Sequence, residues 1–221
     1  MKNSLLLTLF VIFFSCHNDR TIPLLLDRVE SLIETQPDSA EIFLDSIQMP
    51  DKLNDKLFAR WCFLQSKTAD KLHKEMPYVE QLSRALQWYA KHGTAKQQAW
   101  TGLYLGRSYT EDKLFIPAIN AYSDALEIAQ NKHIYNVAGY ICSYMADLYT
   151  YTGQRTEERR KFEEAADYFK KAGNIRSYAF ALRDIAQTWV FGDSCSIALN
   201  YMLKADSIIT KLNDSIGMAS I

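Results

Sequence analysis

Four sets of residues recur at intervals of 40 along this chain. Gly106, Ala146 and Ala186 form one set, and Tyr109, Tyr149 and Trp189 a second. Tyr122, Phe162 and Met202 form a third, and Ala125, Ala165 and Ala205 a fourth. A fixed period of roughly 20 to 50 residues marks a stacked repeat architecture, in which no unit buries its apolar face alone. The period thus restricts the chain to an array of like units before any single residue is interpreted.

Each period contains two helical runs. In AWTGLYLGRSY, Ala99, Gly102, Leu103, Gly106 and Tyr109 follow a spacing of three and four. In the run after Pro117, Ala118, Ala121, Tyr122, Ala125 and Ala129 fall on one face. Pro117 suits the first turn of a helix, where its missing N–H costs nothing, and Pro77 holds the same place one period earlier. The small residues Gly106, Ala146 and Ala186 predict a close helix crossing, with Tyr122 and Phe162 filling the space beside it.

This pattern resembles the tetratricopeptide repeat, in which Leu-Gly and Tyr on a first helix are followed by Ala, Phe or Tyr, and Ala on a second. The copies read Leu105-Gly106, Tyr109, Ala118, Tyr122, Ala125; Met145-Ala146, Tyr149, Glu158, Phe162, Ala165; and Ile185-Ala186, Trp189, Ala198, Met202, Ala205. Glu158 departs from the small-residue pattern, which predicts a splayed middle hairpin. The family's usual period is shorter, at about 34 residues. The extra length here is expected to extend the second helix. The resemblance implies an all-α, right-handed superhelix, a tetratricopeptide-like solenoid of four to five helix hairpins. The repeats are placed at 59–98, 99–138, 139–178 and 179–218, within a domain over 22–221. Residues 22–50, including Ala40, Phe43, Leu44 and Ile47 on one face, form a divergent first hairpin. Ser66, Ala69, Tyr78, Leu82 and Ala85 hold the register of the next. At the other end the register puts Ala219 at the start of a further first helix. An uncovered apolar flank is therefore expected on the helix of Ser196–Leu212, including Tyr201 and Ile208.

The first residues differ from the rest. A lysine precedes an apolar run from Leu5 to Phe14, then Ser15-Cys16. A charged start followed by about 7 to 15 apolar residues is a secretion signal, too short for an ordinary membrane span. Its end resembles a bacterial lipobox, with Phe13 in place of the usual Leu. Residues 1–15 are expected to be a signal peptide, and 16–21 a lipidated N-terminus and tether, with Cys16 carrying the lipid. An ordinary signal peptide or an uncleaved anchor is the alternative. Cys62 and Cys142 fall on apolar helical runs and are expected to be buried thiols, whereas Cys195 sits in a turn.

Little in the sequence suggests chemistry. His17, His73, His92 and His133 are not paired with ligands at helical spacing, and no nucleophile elbow, P-loop or dinucleotide fingerprint occurs. No cofactor and no metal are expected. The run from Glu158 to Glu164 reads as a solvated face with opposite charges three and four apart. A net charge of −1 provides no basic field for nucleic acid.

One set of residues invites reading as a binding surface. Trp100, Tyr140 and Phe180 lie 40 apart on successive first helices. Leu103, Ser143 and Arg183, and then Arg107, Asp147 and Gln187, follow on similar faces. The resemblance implies that first helices line the concave side, where an aromatic ladder edged by Arg and Asp suits an extended protein or peptide partner. Packing between repeats is the competing account of the same rings. The whole resembles exported tetratricopeptide lipoproteins common in Bacteroidetes, which implies a non-enzymatic scaffold at the cell envelope, on the outer membrane or the periplasmic face, attached to a membrane by lipid. The sensory part of a membrane-linked transcriptional regulator, and a carbohydrate-binding surface lipoprotein, are the alternatives.

Overall fold

The computed structural model describes residues 18–190, 194–214 and 217–218. Among them are ten α-helices, one 3-10 turn and no strand. The chain divides into two compact units, Met1–His92 and Gly93–Ile221. The expected signal peptide, Cys16 and Ala219, where a further first helix is expected to begin, lie outside the described residues.

The first unit contains α1 (Asn18–Leu32), α2 (Pro37–Asp45), the 3-10 turn Pro50–Lys52, α3 (Asp55–Lys71) and α4 (Val79–His92). Helix α3 packs on each of the other three. Its core joins Leu26 and Val29 of α1 and Ile33 just after it with Ala40 and Leu44 of α2, Phe58 and Cys62 of α3, and Leu82, Ala85 and Tyr89 of α4, all buried. Ion pairs bind the helices at the rim. Arg60 reaches both Asp27 and Glu30 at 2.7 Å, and Glu34 lies between Lys67 and Lys71. Hydrogen bonds from those two lysines hold the Glu34 carboxyl down at about 2, well below its ordinary range.

The second unit contains α5 (Ala95–Glu111), α6 (Phe115–Asn131), α7 (Tyr135–Tyr151), α8 (Arg155–Lys171), α9 (Ile175–Val190) and α10 (Cys195–Lys211). Successive helices pack on one another, and α5 also meets α7. Helices α5 to α8 and α10 have 17 residues each, so the longer period lengthens both helices of a pair alike and not the second alone. A Thr94–Gln97 capping box starts α5. The N-caps Leu114, Ile134, Gln154 and Ser194 of α6, α7, α8 and α10 provide no side-chain cap.

The starts of α6, α7 and α8 are set by how the preceding helix stops. Lys113, His133, Gly153, Gly173 and Asn213 all take left-handed φ, between 51° and 72°. The N–H of the following residue then turns back to a carbonyl five positions earlier: Leu114 to Tyr109, Ile134 to Ala129, Gln154 to Tyr149, Asn174 to Phe169 and Asp214 to Ile209. This is the Schellman closure, which satisfies carbonyls left open at a helix end. From Lys113 to Gly173 it recurs at every half-period, so each half of the repeat is the same helix-and-turn element. Left-handed φ is free for glycine and costs other residues roughly 1 kcal/mol. Gly153→Ala should therefore lower unfolding stability by about 1 kcal/mol, and Lys113→Gly should raise it by a similar amount. Urea midpoints that move in the opposite senses would contradict this account of the turns.

The packing of the pairs follows small against large. A Cβ on Gly106 would stand 2.5 Å from Tyr122 Cδ1 and 2.9 Å from its Cγ, and that ring is 1% exposed. The backbones come nearest one turn earlier, at Gly102, where a Cβ would meet the Cβ of Ala125 at 2.9 Å and its Cα at 3.7 Å. The expected close crossing is thus real but centred on a glycine outside the recurring ladder. The middle pair is not splayed. Glu158 is buried, yet it accepts from Thr150 Oγ1 at 2.9 Å and from Arg155 at 3.2 Å. Elsewhere in that pair, a Cβ on Gly139 would be 2.6–3.0 Å from the Phe169 ring. The run from Glu158 to Glu164 is likewise only partly solvated, since Glu158, Lys161 and Phe162 are buried and Lys161 pairs with Glu164 at 2.7 Å. On α10 the exposed apolar residues are Ile197, Leu199 and Leu203, whereas Tyr201 and Ile208 are half-buried.

Candidate functional site

The first helices α5, α7 and α9 of the second unit bring Trp100, Tyr140 and Phe180 to equivalent positions, and all three are half-buried. Trp100 lies with its ring centroid 5.5 Å from Tyr140 and 5.6 Å from Tyr104. Tyr140 meets Phe169 edge-on at 4.9 Å, and its hydroxyl is 3.1 Å from Ser177 Oγ and accepts from Asn174 Nδ2 at 3.4 Å. Phe180 is flanked by two guanidiniums, Arg176 at 4.8 Å and Arg183 at 5.1 Å. Each of the three residues is thus in contact with neighbours and only partly exposed.

The polar residues that accompany the ladder divide. Leu103, expected at the surface, is fully buried and belongs to the core. Its counterparts one and two periods on, Ser143 and Arg183, are half-buried. Ser143 is half-buried and spends its hydroxyl on the Gly139 carbonyl at 3.2 Å. Arg107 lies over the Tyr144 ring at 4.8 Å and 3.7 Å from Glu111. Arg183 donates to Asp184 through Nε at 2.8 Å and Nη2 at 2.6 Å. Asp147 and Gln187 are exposed.

Between α5 and α7 these side chains surround a recess of about 350 Å³, lined by Arg107, Thr110, Glu111, Tyr122, Tyr144, Asp147, Thr150 and Tyr151. Tyr144 and Tyr151 are aromatic residues of α7 that the recurring ladder does not contain, although Tyr144 follows Tyr140 by four. Asp147 forms no hydrogen bond or ion pair among the described residues. Enclosure by the recess pushes its carboxyl up to about 6, helped by the like charges of Asp184 and Glu158 and opposed by Arg183 and Arg107. Its openness to water limits how much of that rise desolvation can produce. Burial also raises Asp184, against the pull of Arg183.

The linkage has a definite sign. A carboxyl raised in the folded state binds protons that the unfolded chain does not, so stability falls as pH rises from about 4 to about 6. Asp147→Asn should therefore melt above the parent at pH 7, with the gap closing towards pH 4. Melting curves across that range test it, and a gap that is absent or inverted at pH 7 would refute it.

Three thiols are free among the described residues. Cys62 and Cys142 are buried, and burial pushes both up to about 12, whereas Cys195 is exposed at the start of α10. The thiolate is the reactive form. Among these three, a maleimide should label Cys195 in the native protein, and Cys62 and Cys142 only after denaturation; peptide mapping by mass spectrometry decides. Among the described residues, no group of three or more His, Cys, Asp or Glu side chains is placed to hold a metal ion, and no helix is long and apolar enough to cross a membrane.

No protein-family model and no curated protein matches this chain. Solved structures do match. BtubC (BKLC) from P. vanneervenii is 15% identical over 91% of this chain and 86% of its own, with a TM-score of 0.64. The Signal Transduction ATPase with Numerous Domains from Pyrococcus horikoshii, described as having a tetratricopeptide repeat sensor, is 15% identical over 90% of this chain and 31% of its own, with a TM-score of 0.68. A putative kinesin light chain of P. anserina with nearly identical TPR-like repeats is 13% identical over 88% of this chain and 97% of its own, with a TM-score of 0.59. At these identities the likeness is one of fold: an all-helical, tetratricopeptide-like repeat solenoid.

Proposed function

We propose that the second unit is a docking platform for an extended segment of another protein, borne on the open face of α5, α7 and α9, and that it carries out no chemistry itself. One observation carries this reading: three half-buried aromatic residues recur on successive first helices, and between α5 and α7 a recess holds the Asp147 carboxylate, exposed and without a hydrogen bond or ion pair among the described residues. Aromatic anchors beside polar groups are what interface hot spots require. The fold supports the same reading, since stacked helices present extended binding surfaces. The further proposal, that Cys16 carries a lipid holding the chain at the cell envelope, is supported by the sequence pattern that ends in Ser15-Cys16. Labelling cells with an alkyne fatty acid addresses that part, and equal labelling of wild type and Cys16→Ala would remove it.

The platform is tested by placing a photoreactive amino acid at Gln187, exposed on α9, and in a separate variant at Asp124, exposed on α6. Irradiated cells should yield a crosslinked protein from position 187 and none from 124. Crosslinking from both positions alike, or from neither, would overturn the reading.

A further inference from the structure

Successive helices of the second unit alternate in direction, so its turns fall on two edges. The turns after α6 and α8 and the closure after α10 share one edge, and those after α5, α7 and α9 the other. Contacts run along the first edge from pair to pair. Gln130 donates to the Tyr168 hydroxyl at 2.7 Å, and the Tyr135 and Tyr168 rings stack with centroids 6.4 Å apart. Asn174 donates to Asn136 at 2.7 Å, and Arg176 pairs with Asp214.

Charge separates the two edges. On the first, each turn with its flanking helical turns covers residues 128–138, 168–178 and 208–214. These carry Lys132, Lys170, Lys171, Arg176 and Lys211 against Asp214. The corresponding residues 108–118 and 148–158 of the other edge carry Glu111, Asp112, Glu157 and Glu158 against Lys113 and Arg155. Lys171 is paired with Asp167 at 2.6 Å. Lys132, Lys170 and Lys211 are exposed and form no ion pair among the described residues, so each of the three turns offers a free ammonium group.

Aliphatic side chains stand among these lysines. Ile175 is 43% exposed and Leu212 45%, and Ile134 is half-buried in the turn before α7. Unpaired lysines interspersed with exposed aliphatic tips suit an anionic lipid interface, where ammonium groups meet the headgroups and apolar tips enter the boundary beneath. A polyanion in water would use the lysines and leave Ile175 and Leu212 hydrated.

We infer that this edge docks on an anionic membrane surface, with phospholipid headgroups on Lys132, Lys170 and Lys211 and the tips of Ile175 and Leu212 below them. The inference needs neither the platform on α5, α7 and α9 nor a lipid on Cys16.

The test adds the full-length chain to phosphatidylcholine bicelles, alone or with about a quarter of the lipid replaced by phosphatidylglycerol. A photoreactive amino acid replaces Ala172, exposed between α8 and α9, or in a separate variant Asp112, exposed between α5 and α6. Irradiation should attach lipid to position 172 in the anionic bicelles, much less in neutral ones or at high salt, and not to position 112. Lys132→Gln, Lys170→Gln and Lys211→Gln together should cut that yield about tenfold without moving the melting temperature, because all three side chains are exposed. Ile175→Ser with Leu212→Ser should lower it as well, which a purely electrostatic contact would not show. Equal adducts from both positions, equal adducts in neutral bicelles, a yield indifferent to the lysines, or capture of added polyglutamate at position 172 without capture of lipid would each overturn the proposal.

Discussion

Gly106→Leu should destabilise the protein by about 3 kcal/mol. A Cβ alone would stand 2.5 Å from Tyr122 Cδ1, inside any real contact distance, and a leucine adds three further carbons along that direction. Tyr122 cannot swing clear, because its side chain is fully enclosed. Parting the backbones instead would open the close approach of Gly102 to Ala125 one turn away. Gly106→Ala should cost less, as alanine occupies the equivalent positions Ala146 and Ala186. Urea denaturation orders the three proteins, and a leucine variant with the wild-type midpoint would show that this contact is not tight.

Tyr140→Ala should cost about 2–3 kcal/mol, below the roughly 3–5 of a fully buried aromatic because this ring is half-open. The loss has three sources. The ring leaves Phe169 and Trp100 without a neighbour at 4.9 and 5.5 Å, and the hydroxyl no longer bonds with Ser177 and Asn174 across to the next pair. The same variant separates packing from recognition once a partner has been captured at Gln187. A partner bound as tightly per folded molecule by Tyr140→Ala as by wild type would take the ladder out of the interface. Binding weakened beyond the loss of folded protein would keep it there.

The helical class and the pairing of small with large residues were legible because they rest on side chains that recur in register. Gly106 opposite Tyr122 is such a case. The half-period was not legible, since the closing residue is His73, Lys113, His133, Gly153, Gly173 or Asn213, and backbone hydrogen bonds perform the closure whatever the side chain. Gly102 was passed over because its counterparts, Cys142 and Leu182, are not small in the same way. Of the site, the ladder could be read directly from the period, whereas the openness of Asp147 and the burial of Leu103 depend on helix rotation within the stack. The late start of α4 was hidden by an apparent regularity. Pro77 aligns with Pro117, yet one lies in non-helical chain and the other inside a helix.

The interchangeable turns bear on how such a chain can change length. Because the closures at Lys113, His133, Gly153 and Gly173 share one backbone geometry, excising one helix with its turn between them would join two ends that already fit. Yet the odd and even helices face different surroundings, and a cut of half a period would bring a sequence composed for one layer of the stack into the other. A cut or duplication of a whole period leaves every side chain facing as before. Removing residues 135–174, from one turn to the next but one, should therefore yield a shorter folded protein, whereas removing 135–154 should yield one that exposes apolar surface and aggregates. The elementary unit of backbone geometry is thus half the size of the unit that can be removed or added without turning any side chain to a new neighbour.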